Sequence, residues 1–200
     1  GPFRNPGKKP YVTQKSIDNS LFIDDDGKAY MFFVWMNPDE QIWSVRLSDD
    51  LKSTLDDTWR FVTATLPDSW ETKGGWLNEG PMVVKVNGTY VLTYSAGDYK
   101  SPHYGVGYAT ATDIRGPWRK SAANPVLCHV GGMNGTGHHS LFKDAAGKWK
   151  IVFHAHAAPD RIHPRCMYVA DVAFSGSGHD LKMSVSKTFT TCEKDARDLP

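Results

Sequence analysis

WLNEGPMVVKVNGTYVLTYSAG, Trp76 to Gly97, reads as two β-strands folded about Asn87-Gly88, because apolar residues alternate on both sides of a dipeptide that tolerates positive φ. A carboxylic acid, Glu79, therefore stands where a hairpin begins. The pattern recurs at SLFIDDDGKAYMFFVWM (Ser20 to Met36) and at SLFKDAAGKWKIVFHAH (Ser140 to His156). The turn glycines Gly27, Gly88 and Gly147 fall 61 and 59 residues apart.

A repeat of about 60 residues made of short strands predicts a radial or stacked array. Each hairpin is followed by a further alternating segment: Gln41 to Leu51, Tyr104 to Ile114 and Arg165 to Phe174. Each unit then holds about four strands, the content of one propeller blade. Counting back from the turn glycines puts Asp18, Glu79 and His138 (with His139 beside it) at one repeat position ahead of the hairpins. Equivalent positions in successive blades converge on a central axis, which makes these residues the candidate site. The expected architecture is all-β: one partial β-propeller domain over 1–200, with blades at approximately 16–70, 77–130 and 136–195.

The 23 basic side chains balance 22 acidic ones, which leaves no electrostatic footprint for nucleic acid or an anionic membrane. Seven Trp, eight Tyr and nine Phe suit β structure and core packing, and aromatic faces also suit sugars. Cys128, Cys166 and Cys192 show no CxxC spacing, and their odd number argues against a purely disulfide-held scaffold, though one pair remains open. No apolar run reaches the roughly 18 residues of a membrane span. The opening GPFRNPGKKP lacks a signal peptide's apolar core, so any export signal is expected to lie outside this sequence. Asn87-Gly-Thr and Asn134-Gly-Thr match the glycosylation pattern, but the first is better explained by its turn.

Asp24, Asp25 and Asp26 invite a calcium reading, yet DDDG is ordinary turn chemistry and lacks the EF-hand spacing. Pro81 has no N–H and pushes Gly80 towards an extended backbone, which holds Glu79 on a fixed strand start. Gly131 to His139 is glycine-rich without the ending of a phosphate loop. His154 and His156, two apart on a strand, point the same way as a zinc pair would, with no third ligand at recognisable spacing.

On these residues the sequence resembles glycoside hydrolase family 43, five-bladed propeller enzymes acting on arabinose- and xylose-containing polysaccharides. Ser16 to Tyr30 resembles the segment whose aspartate, here Asp18, orients the general acid and tunes its pKa. Asn78-Glu79-Gly80-Pro81 resembles the segment bearing that acid, which gives Glu79 the role. Thr136 to Ser140, with Trp149 to Ala155, resembles the segment whose histidine, here His138, lies under the active centre beside a bound calcium or water. Arg165 resembles an arginine that reaches the sugar, with Trp76 and His138 as further substrate contacts. The resemblance implies an enzyme that needs no cofactor beyond that calcium, takes an oligosaccharide or polysaccharide, and works in an extracellular or periplasmic setting.

One departure stands out. The family's catalytic base is an aspartate about two blades upstream of the position matched by Asp18, and only 17 residues precede Asp18 here. The sequence thus looks like the last three blades of five, with open edges suited to self-association. Single-displacement hydrolysis needs an acid and a base about 6.5 to 9.5 Å apart across the sugar. Glu79 fits the acid, its pKa raised by burial near Trp76 and by the like charge of Asp18, and no residue fits the base. The expected function is arabinofuranosidase or β-xylosidase action on cell-wall arabinan or arabinoxylan, incomplete in this chain alone. The alternatives are a non-catalytic carbohydrate-binding fragment and a purely structural propeller segment.

Overall fold

The computed structural model describes residues 10–36 and 39–191, so Cys192 lies outside the described residues, while Cys128 and Cys166 are free thiols. The described residues form three four-stranded antiparallel sheets, each laid out in chain order. The first contains β1 (Ser16–Ile23), β2 (Ala29–Met36), β3 (Glu40–Arg46) and β4 (Arg60–Thr63). The second contains β5 (Asn78–Val86), β6 (Thr89–Ala96), β7 (Gly105–Ala111) and β8 (Arg119–Lys120). The third contains β9 (Gly137–Lys143), β10 (Trp149–Ala155), β11 (Cys166–Ser175) and β12 (Lys182–Thr191). Their first strands, β1, β5 and β9, touch in succession, so the sheets are three consecutive blades of a β-propeller.

Strand alternation sends the apolar residues to two faces. Phe32 and Ile42 of the first blade pack with Val83, Leu92 and Tyr94 of the second, and Val91, Val106 and Tyr108 pack with Leu141, Ile151 and Phe153 of the third. The other face of the first blade gathers Met31, Phe33 and Val45 under Trp35, Trp43, Trp59 and Val12. The middle blade is covered on both sides, and β6 and β7 are buried along their whole length. β1 instead alternates between half-buried and exposed, with Ile17, Leu21 and Ile23 on its exposed side.

The turns follow their residues. Asn87 (φ 49°) and Gly88 (φ 72°) form the two-residue turn that matches strand twist. The DDDG and DAAG loops are longer and alike: the N–H groups of Gly27 and Gly147 donate to the carbonyls of Asp24 and Asp144, each at 2.9 Å. The acidic triplet also serves as an inter-blade clamp. Lys85 of β5 reaches Asp24 and Asp25 at 2.8 Å each, and the Tyr90 hydroxyl donates to Asp24 at 2.5 Å.

Candidate active site

Each first strand carries a β-bulge at the same place. Two residues oppose one partner at Asp18-Asn19, at Gly80-Pro81 and at His138-His139. The leading residue of each bulge is left-handed: Asp18 at φ 56°, His138 at φ 46° and Gly80 at φ 56°, the last in place of the extended backbone expected ahead of Pro81 because the bulge demands it. Such bulges re-aim a side chain and often border active sites. They also correct the count made from the turn glycines. Asp18 and His138 are equivalent, but in the second blade the equivalent residue is Gly80, and Glu79 stands one residue earlier. The cause is turn length, because a two-residue turn in the second blade replaces a five-residue connection in the others.

The three side chains nonetheless meet. Ligand atoms of Asp18, Glu79 and His138 all lie within 4.8 Å of one another. Asp18 Oδ2 accepts the Gly80 N–H at 3.0 Å, so the first blade grips the backbone that carries the acid. Glu79 Oε1 accepts a hydrogen bond from the Tyr104 hydroxyl, with His138 Nδ1 at 3.6 Å. The His138 backbone N–H donates to Ser95 Oγ at 2.9 Å. Gly137 makes room for this packing, since a Cβ there would stand 2.3 Å from the Tyr104 ring.

Arg165 reaches the same cluster. Its Nη1 lies 3.0 Å from His154 Nε2, its guanidinium covers the Tyr99 ring at 4.8 Å, and His154 stacks on Tyr104 with centroids 5.7 Å apart. Trp76 contributes less than expected to burying the acid. The Glu79 side chain is only 15 % exposed, but the groups against it are Tyr104 and His138, while Trp76 is 53 % exposed.

Charge placement sets the protonation states. Burial and the Glu79 charge push the Tyr104 phenol well above its ordinary value, which keeps it a donor. The hydrogen bond to Glu79 raises His138, and the Asp18 charge adds to this. Burial, then the Arg165 cation, lowers His154 to about 4. Full burial lowers His139 to about 3, and neither of its ring nitrogens has a hydrogen-bond partner among the described residues.

The sequence reading missed several members. Glu40, bridged through its backbone to Leu77, has its carboxyl raised first by burial and then by the charges of Glu79 and Asp18. Asn78 is fully buried next to the acid and rests on an internal ion pair. Its Nδ2 donates to Glu71 Oε2 at 3.2 Å and its Oδ1 accepts from Lys120 Nζ at 3.0 Å, while Lys120 and Glu71 pair at 2.6 Å.

Two metal readings find little support in the donors. Calcium takes six to eight oxygens. Asp18, Glu79 and His138 offer one nitrogen and two carboxylates, each already accepting a hydrogen bond, so these side chains fit calcium poorly. The zinc pair separates into different contacts: His154 faces Arg165, and His156 Nε2 bonds the Tyr99 carbonyl at 2.8 Å. Among the described residues no third ligand joins them.

Comparison with known proteins places this geometry in context. The family model for glycosyl hydrolases family 43 matches residues 1–172. The β-D-galactofuranosidase xynD of Aspergillus niger is 26 % identical over 196 residues, covering 93 % of this chain and 52 % of the relative. The xylosidase/arabinosidase 43A of Humicola insolens is 28 % identical, covering 77 % of this chain and 54 % of its own length. Among solved structures, an endo-1,4-β-xylanase from Bacteroides thetaiotaomicron superposes with a TM-score of 0.87 at 42 % identity, covering 94 % of this chain and 64 % of that one. The chain thus spans about half the length of these two curated relatives. Among the described residues no helix is long and apolar enough to cross a membrane.

Proposed function

The chain belongs to glycosyl hydrolase family 43, and on that footing we propose that it carries the acid half of an inverting glycosidase centre, with Glu79 as general acid and Asp18 as its positioning residue. The observation that supports this most directly is the bond from the Gly80 N–H to Asp18 Oδ2, which ties the acid's backbone to the neighbouring blade. The substrate class proposed is an α-L-arabinofuranosyl or β-D-xylosyl linkage of arabinan or arabinoxylan, in line with the names of the relatives. A polymer of that kind is met outside the cytoplasm, so an extracellular or periplasmic setting is part of the proposal.

In this reading Glu79 protonates the departing glycosidic oxygen through Oε2, since Oε1 accepts from Tyr104. Tyr104 and Asp18 fix the carboxyl against rotation and displacement. His138 and Arg165 face the space above it as donors for sugar hydroxyls. The reaction asks for a second carboxylate to activate water, and no cofactor. That base comes from the part of the propeller outside these three blades. The exposed Ile17, Leu21 and Ile23 side of β1 favours association, with further blades or with another copy of the chain.

The test is Glu79→Gln in the full-length protein, assayed on arabino- and xylo-oligosaccharides, whose sugar leaving groups need protonation, with nitrophenyl glycosides, whose phenolate leaves unaided, as the control expected to be far less affected. A loss of about 100-fold or more in kcat on the oligosaccharides is expected, in keeping with general acid catalysis. An unchanged rate on them sinks the assignment. Oligosaccharide binding without any turnover by the unmutated protein favours the non-catalytic carbohydrate-binding reading instead.

A further inference from the structure

Away from the acid centre, two loops bring a second set of titratable side chains together. His103 sits on the β6–β7 connection and His129 on the segment leading to β9, and both rings are exposed. His103 Nδ1 and His129 Nε2 are 3.1 Å apart, with ring centroids at 5.2 Å and planes at 79°. Two imidazole nitrogens about 2.05 Å from a tetrahedral zinc ion stand about 3.3 Å apart. The pair therefore already has nearly the spacing of a bidentate chelate.

The orientation of His129 is set from behind. Asn134 Nδ2 donates to the Pro159 carbonyl at 3.1 Å, which identifies Asn134 Oδ1 as the atom 3.1 Å from His129 Nδ1. His129 Nδ1 thus carries the proton and donates it, leaving the Nε2 lone pair directed at His103. Metal-binding histidines are held this way, the far N–H given to a carbonyl oxygen that fixes tautomer and ring plane. The His129 backbone is left-handed, at φ 53°. The two loops are also tied to each other: the Gly135 N–H donates to the Pro102 carbonyl at 3.2 Å, and Cys128 Sγ lies 3.7 Å from the His103 carbonyl.

We propose that His103 and His129 form a two-histidine site for a divalent transition-metal ion such as zinc, oriented by Asn134 and completed by water. Without metal, His103 Nδ1–H donates to His129 Nε2. On binding, the exposed His103 ring moves its proton to Nε2 through solvent, so both facing nitrogens become ligands with no net proton release. The ion clips the 128–134 loop to the residue preceding Tyr104, whose hydroxyl bonds Glu79.

Calorimetric titration of the untagged chain with Zn2+ tests this, beside Cu2+ electron paramagnetic resonance to count coordinated nitrogens. One zinc per chain is expected, with two imidazole nitrogens around copper. His103→Ala and His129→Ala should each weaken zinc by more than tenfold, and Asn134→Ala by about 10- to 100-fold. His129→Asn, which tolerates the left-handed backbone, should weaken binding as His129→Ala does. His138→Ala should leave the affinity unchanged. The proposal is overturned if zinc does not bind at millimolar concentration, if neither loop histidine matters, or if binding is lost in His138→Ala, which would place the ion at the acid centre.

Discussion

Asp18 shows how one side chain reaches across blades. Its carboxylate is the acceptor for the Gly80 N–H, and its own left-handed backbone is tolerable because short polar residues bear that conformation. Asp18→Asn keeps both the conformation and an acceptor oxygen, whereas Asp18→Ala loses both. In the full-length enzyme kcat is therefore expected to fall further in Asp18→Ala than in Asp18→Asn, by about tenfold or more between them, with KM within about twofold; misplacement of a catalytic group can cost about 100-fold. Steady-state kinetics of the pair decides it, and equal rates would remove Asp18 from a positioning role. Gly137→Ala belongs to the same scale. Its Cβ would overlap the Tyr104 ring, so the phenol must leave Glu79, and a clear loss in both activity and melting temperature is expected. That Asp18, Glu79 and His138 would come together was legible because each precedes a hairpin at a common spacing from its turn glycine. Tyr104, Ser95 and Glu40 were not, since each arrives from a different strand or loop with no local pattern to mark it.

At the level of elements, the hairpins were legible and two of the outer strands, β4 and β8, were not. β1–β2, β5–β6 and β9–β10 alternate around glycine turns, and the strands after them repeat the alternation. β4 and β8 are only 4 and 2 residues long, and pairing to a neighbour rather than their own composition defines them. The slip of Glu79 against Asp18 comes from the two-residue Asn87-Gly88 turn, since the bulge is common to all three first strands, and counting from the turn glycines without allowing for turn length hides it. A buried ion pair fastens β8 and the 66–72 loop beneath β5. Glu71 is 1 % exposed and also accepts from the Leu66 N–H and the Tyr94 hydroxyl. Lys120→Met strands that carboxylate and is expected to cost about 3–5 kcal/mol. Glu71→Gln with Lys120→Met removes the unpaired charge, leaves an amide oxygen to accept the Leu66 N–H and turns the amide NH2 toward the Tyr94 hydroxyl oxygen, and should regain at least half of the loss. Urea unfolding of the three proteins checks this, and a double variant no better than Lys120→Met would mean that the pair's charge was not the issue.

For the whole molecule, the pH dependence of stability follows from histidines held neutral inside it. His139 is fully buried with its value lowered to about 3, against about 6.5 in an unfolded chain. Above pH 6.5 both states are neutral and its contribution is fully present. As pH falls from 6.5 towards 3, the unfolded chain binds a proton that the folded one refuses, and stability drops by about 1.4 kcal/mol per pH unit. His154, lowered to about 4 and less enclosed, acts in the same direction by a smaller amount. His138 has the opposite sign: its value is raised, so its stabilisation is complete below 6.5 and fades as pH climbs through its folded value. The window from 6.5 to 5 isolates these rings, because most carboxylates there remain ionised. His139→Leu removes the titration without stranding a polar group, since neither ring nitrogen has a partner among the described residues. Its melting temperature at pH 7.5 is expected to match or exceed that of the unmutated chain, and its decline from pH 6.5 to 5 to be shallower by about one bound proton. Thermal melts of both proteins at half-unit pH steps make the comparison. Parallel curves would mean that His139 takes up its proton in the folded state as readily as in the unfolded one.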